Sequence, residues 1–124
     1  MKKICVYIMV FVMILSLEPI YTWAETSEIT SNVYTTEDGV YEYTIDDNNF
    51  VTICKYNGND TSVVIPDEID GKKVVCLGDK AFYWNLEITD IKIPEGVTSI
   101  GNEAFWECLK LENITVPNSI KKIG

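Results

Sequence analysis

From Val74 onward the chain repeats itself every 23 residues, and that interval constrains the fold more than any other feature. Pro94 maps onto Pro117, and Gly78 maps onto Gly101 and then Gly124. Ala81-Phe82 maps onto Ala104-Phe105, Leu86 onto Leu109, Ile91 onto Ile114 and Ile100 onto Ile123. Aligning Val74–Gly101 with Val97–Gly124 gives 28 pairs, nine of them identical. At ordinary residue usage about one or two would coincide by chance. Further pairs swap like for like: Leu77/Ile100, Tyr83/Trp106, Ile88/Leu111 and Ile93/Val116. An earlier copy, begun by Pro66 and Val74, is widened by five residues through Asp70-Gly71-Lys72-Lys73.

A period of this length falls within the roughly 20–29 residues of leucine-rich repeats, each a strand plus a short helix or 3₁₀ turn. The residues can be placed accordingly. Ile91 and Ile93 alternate with Asp90 and Lys92, so a short strand buries the isoleucines and exposes the other two. Pro94 ends that strand because it cannot donate to the ladder. Gly101-Asn102 turns the chain, and Asn102 is placed to N-cap a helical turn running through Cys108, as Asp79 is one repeat earlier. Ala104 and Phe105 pack that turn inward. Upstream, Tyr41–Ile45, Phe50–Tyr56 and Thr61–Ile65 are strand-like, separated by the turn formers Asp46-Asp47-Asn48-Asn49 and Asn57-Gly58-Asn59-Asp60. The expected organisation is a leader over 1–24, a flexible lead over 25–39, an antiparallel β-meander cap over 40–66 and leucine-rich repeats over 67–124. The fold class is a leucine-rich-repeat solenoid, β-rich with one short helical turn per repeat.

Ile91-Lys92-Ile93-Pro94, Val97, Ile100-Gly101, Ala104-Phe105, Cys108 and Leu111 together resemble the repeat of the BspA-like leucine-rich-repeat family. The likeness covers about Val63 to Gly124. Asn85 departs from it, standing where Cys108 stands, and Cys76 replaces Ser99. The resemblance implies a cell-surface protein that adheres to host or microbial proteins.

The first residues point to export. Lys2-Lys3 is followed by the uncharged apolar run Ile4–Leu17, and Thr22 and Ala24 occupy the −3 and −1 positions of a cleavage site before Glu25. Fourteen apolar residues are fewer than the roughly 20 that a membrane span needs. The alternative is an uncleaved signal anchor. Membrane contact is expected only through this segment, before cleavage. Cleavage removes Cys5 and leaves Cys54, Cys76 and Cys108, an odd set that permits at most one internal disulfide, so buried free thiols are expected.

Composition excludes several function classes. Ten lysines, no arginine and no histidine face nineteen acids, for a net charge of -9, and such a chain repels nucleic acid. Without histidine, neither a Ser-His-Asp nor a Cys-His arrangement can be built. Carboxylate pairs such as Asp67/Glu68 lack the opposed cleft walls that glycosidase chemistry needs. No catalytic, cofactor-binding or metal-binding residues are therefore assigned. Asp46-Asp47-Asn48-Asn49 could offer oxygens to Ca²⁺, but it lacks the spacing of a calcium loop and is read as a hairpin turn.

Two sets of residues remain as ligand-binding candidates. Tyr83, Trp84 and Trp106 flank the inward phenylalanines on the turn side, and Asp90, Lys92, Asn113 and Thr115 point outward from the strands. The function expected is non-enzymatic extracellular binding of a protein or a glycan. The alternative is an N-terminal scaffold piece of a longer secreted protein, such as a hydrolase, with no binding role of its own. Ile114, Val116, Ile120 and Ile123 form a last layer without a polar cap, so the isolated mature chain is expected to be marginally stable or to self-associate through this edge. Export is checked by N-terminal sequencing of the secreted product, which should begin at or near Glu25. A product retained in the cytosol with Met1 intact would contradict it.

Overall fold

Each repeat contributes a strand to each of two sheets, in which successive coils pair in parallel, and a turn-rich corner joins them. The computed structural model describes residues 3–4 and 32–124. In chain order the strands are β1 (Lys3–Ile4), β2 (Tyr34–Thr35), β3 (Tyr41–Ile45), β4 (Val51–Tyr56), β5 (Ser62–Val64) and β6 (Glu68–Ile69). They continue as β7 (Lys72–Leu77), β8 (Asp90–Lys92), β9 (Ser99–Ile100), β10 (Asn113–Thr115) and β11 (Lys122–Ile123). The first sheet runs β1-β2-β3-β4-β7-β9-β11, with β6 paired to β7, and the second runs β10-β8-β5. Apart from Lys3–Ile4, the expected leader lies outside the described residues.

The two sheets wind as a solenoid of about three turns. Register holds the 23-residue offset: Cys76 pairs with Ser99, Leu77 with Ile100, Ile91 with Ile114 and Ile100 with Ile123. Alternation decides which side chains enter. Ile91 and Ile93 are buried between the sheets while Lys92 faces out, and Val74, Leu77, Ile88 and Val97 complete the layer from the other strands and loops. An aromatic column runs through the coils, with centroid separations of 5.4 Å for Tyr41–Tyr56, 5.1 Å for Tyr56–Phe82 and 5.4 Å for Phe82–Phe105. In the last coil Ile114, Val116 and Ile123 are exposed, where Ile91, Ile93 and Ile100 are buried.

The expected helical turn in each repeat is absent: among the described residues there is no helix. The reason is a competition for amides. The N–H groups of Lys80, Phe82 and Trp84 donate to the carbonyls of Asn102, Ala104 and Trp106 in the next coil, so they cannot close helical bonds in their own. Only the intervening Ala81, Tyr83 and Asn85 bond back three residues. Left-handed backbone at Lys80, Trp84, Glu103 and Glu107, with φ of 59°, 57°, 54° and 60°, also breaks a right-handed helix at each repeat. Asp79 caps across coils instead of within its own: its Oδ1 accepts the Asn102 N–H at 2.7 Å.

The antiparallel meander is present, but its strands are β2, β3 and β4. Ser62–Val64 does not fold back on β4. It joins the second sheet, parallel to β8, and Asn57-Gly58 is a corner and not a hairpin turn. The β3–β4 loop is the expected turn, with Asp46 Oδ1 accepting the N–H groups of Asn48 and Phe50, both at 2.9 Å. The five extra residues of the first repeat form the β6–β7 hairpin. Asp70 and Gly71 take φ of 53° and 72° at its tip, and Tyr43 donates its hydroxyl hydrogen to Asp70.

Phe82 is almost completely buried between two rings, so truncation removes both transfer energy and stacking. Phe82→Ala should cost about 3–5 kcal/mol in denaturant unfolding. Lys92→Ala should fall within about 0.5 kcal/mol of the parent, as surface substitutions usually do. Equal losses would show that the repeat register is wrong.

Candidate binding surface

The outward positions of β8 and β10 in the second sheet form a polar strip. Asn113 lies beside Asp90 and Thr115 beside Lys92. Asn113 Nδ2 donates to Asp90 Oδ1 at 2.8 Å, and Thr89 Oγ1 donates to Asp90 Oδ2 at 2.6 Å. These bonds, that from Thr89 foremost, hold the Asp90 carboxyl below its ordinary pKa. Ser62 and Val64 extend the strip onto β5 through the same register. They escape notice in the sequence because the widened first repeat shifts their offset from 23 to 28 residues.

A second surface lies on the corner joining the two sheets. Trp84 is 62% exposed, Trp106 56% and Tyr83 40%, and Leu86 and Leu109 are exposed beside them in the chain. Tyr83 and Trp84 meet edge to face, with centroids 6.0 Å apart. Trp84 sits on left-handed backbone, which costs a bulky L-residue roughly 1–2 kcal/mol. Leu86 and Leu109 are identical repeat positions. The structure leaves both exposed. The first coil has only residues 57–61 between β4 and β5, so this surface belongs to the second and third coils.

The corner's close stacking depends on a glycine. A Cβ on Gly101 would lie 2.5 Å from both the backbone N and Oδ1 of Asp79. Beside it, Cys76, Asp79, Ser99, Asn102 and Lys122 line an open depression of about 340 Å³, across which Ser99 Oγ donates to Cys76 Sγ at 3.1 Å. The three cysteines described are free and half-buried. Burial pushes the Cys54 and Cys108 thiols up, away from the thiolate form that would react. Cys108 packs against the core, and its thiol donates to the Phe82 carbonyl. No cluster of three potential metal ligands occurs among the described residues.

The strip and the corner are thus separate surfaces, one on a sheet and one on a turn. Each offers contact area and hydrogen-bonding groups rather than a reactive pair. The sequence profile described as BspA type leucine rich repeat region (6 copies) matches residues 75–124. Those residues belong to the BspA-type leucine-rich-repeat family. Within this BspA-type array, Asn85 takes the Cys108 position and does a different job. Its Oδ1 accepts the N–H groups of Glu87 and Ile88, both at 3.1 Å, and so folds the loop leading to β8.

Solved structures with this fold include a leucine rich repeat protein from T. pallidum, 32% identical with a TM-score of 0.67. That match covers 72% of this chain and 42% of that one. A leucine rich cell surface protein from Faecalibacterium prausnitzii is 34% identical with a TM-score of 0.65, covering 74% of this chain and 26% of that one. A leucine-rich repeat protein from Bacteroides ovatus is 34% identical with a TM-score of 0.57, covering 64% of this chain and 22% of that one. The chain spans less than half the length of each of these proteins. No curated protein matches it.

Proposed function

We propose that this chain is a non-enzymatic binding module, secreted or held at the cell surface, that engages an extracellular protein or glycan through the aromatic corner. The observation that carries this reading is the exposure of Tyr83, Trp84 and Trp106, one of them on strained backbone, where none of them fills the core. Strained, exposed aromatic residues cost folding energy, and such features cluster at functional sites. Binding energy concentrates in Trp, Tyr and Arg, and this chain has no arginine to serve elsewhere. The BspA-type profile supports a binding role, and the F. prausnitzii neighbour being a cell surface protein supports the location. The polar strip adds specificity through Asp90, Lys92, Asn113 and Thr115. Two coils of corner offer less than the standard interface of about 800 Å² per partner, so the affinity of this segment alone is modest.

The test is immobilised chain against a panel of extracellular-matrix proteins and cell-wall glycans, comparing Trp106→Ala with Lys92→Ala. Trp106→Ala should weaken binding about tenfold or more, and Lys92→Ala should change it by less than about threefold. Loss only in Lys92→Ala would move the site to the strip, and failure to bind any member of the panel would contradict the binding role.

A further inference from the structure

Within the corner, one cation is already held between a ring and a carboxylate. The Lys80 ammonium lies 5.4 Å from the Tyr83 ring centroid and 3.3 Å from Glu103 Oε2. Both distances fit favourable contact, since cations are attracted to an aromatic face within about 6 Å. One repeat later the pattern changes sign. The 23-residue offset places Glu103 at the position of Lys80, Trp106 at that of Tyr83 and Glu107 at that of Trp84. Trp106 therefore presents a larger and more exposed ring, flanked in the chain by Glu103 and Glu107, and no lysine stands three residues before it. Among the described residues no cation lies over that ring. Trp is the best of the aromatic side chains for this interaction, and a net charge of -9 draws cations toward the whole chain.

We infer that Trp106, with Glu103 and Glu107, receives a lysine or arginine side chain from a basic segment of a protein partner. The inference rests on the binding-module reading and narrows its partner. The Lys80–Tyr83–Glu103 contact shows the preferred ligand chemistry, a cation over a ring beside a carboxylate. Glu103 already shares the Lys80 ammonium, but a neutral sugar would leave Glu107 without a charge partner, and anionic glycans would be repelled by both carboxylates.

The experiment is a tryptophan-fluorescence titration of the full chain with short oligolysine and oligoarginine peptides, with oligoglutamate and a neutral chito-oligosaccharide as comparisons. Basic peptides should bind, oligoarginine the more tightly, and binding should weaken steadily as salt rises to about 0.5 M. Trp106→Ala should weaken binding about tenfold, and Trp106→Phe should retain most of it. The exposed pair Glu103→Gln with Glu107→Gln should weaken it several-fold without touching the ring, and circular-dichroism melts confirm that each variant is folded. Glu95→Gln, a carboxylate outside the corner, should leave it nearly unchanged. Equal weakening by Glu95→Gln would mean diffuse charge attraction and overturn the inference. Unchanged binding in Trp106→Ala, or capture of the neutral oligosaccharide in place of the peptides, would also overturn it. If the basic peptides fail while a protein or glycan of the panel still binds through the corner, this inference falls and the binding-module reading stands.

Discussion

The amides of Lys80, Phe82 and Trp84 reach across to the carbonyls of Asn102, Ala104 and Trp106, at 3.0, 2.8 and 2.9 Å. Between them, Ala81, Tyr83 and Asn85 bond back to Gly78, Lys80 and Phe82 in their own turn. This alternation makes the corner neither a helix, which satisfies its amides internally, nor a strand. It also makes each coil depend on the next, so stability accumulates through neighbour interfaces, as in other solenoids. The remaining structure follows from the spacing these bonds impose. Coils this close leave no room for a Cβ at Gly101, and only small residues fit at Ala81 and Ala104, which are buried. The same spacing brings Tyr56, Phe82 and Phe105 into stacking distance.

The two ends of the stack differ for a physical reason. On the N-terminal side, β2 and β3 cover the first coil with antiparallel strands, and the hairpin at Asp70-Gly71 holds the buried Tyr43 by its hydroxyl. On the other side, the amides of Glu103, Phe105 and Glu107 are met by no further coil among the described residues. Function follows from the same geometry. A stack of thin coils has no deep cleft, but it multiplies whatever each corner and each strand displays. In this chain the strands display a hydrogen-bonded polar strip, and the corner displays rings and charges.

Much of this was legible in the sequence. The period follows from Pro94/Pro117 and the glycine series. The facing of Ile91, Lys92 and Ile93 follows from alternation, and the exposure of Trp84 and Trp106 from their place beside inward phenylalanines. The helical turn was misread because Asp79 and Asn102 look like caps, and propensity cannot show that their neighbours' amides go to another coil. The strands β9 and β11 were missed because two residues are too few for a periodicity to register. Ser62–Val64 was assigned to the wrong partner because Asn57-Gly58 is a strong local hairpin signal. Its long-range alternative, pairing with β8, is visible only once the coils are stacked. The exposure of Tyr83, Trp84, Trp106 and Lys92 could be read from the sequence, but Ser62 and Val64 could not, and the contact of Lys80 with both Tyr83 and Glu103 spans two coils and needed the fold.

Amide hydrogen exchange tests the account most directly. If inter-coil bonds organise the corner, the amides of Lys80, Phe82 and Trp84 should be protected close to the level of global unfolding. Their repeat equivalents Glu103, Phe105 and Glu107 should exchange near the rate of an open turn. Similar protection of the two sets, or rapid exchange at Lys80, Phe82 and Trp84, would contradict the central claim that each coil is held by its neighbour.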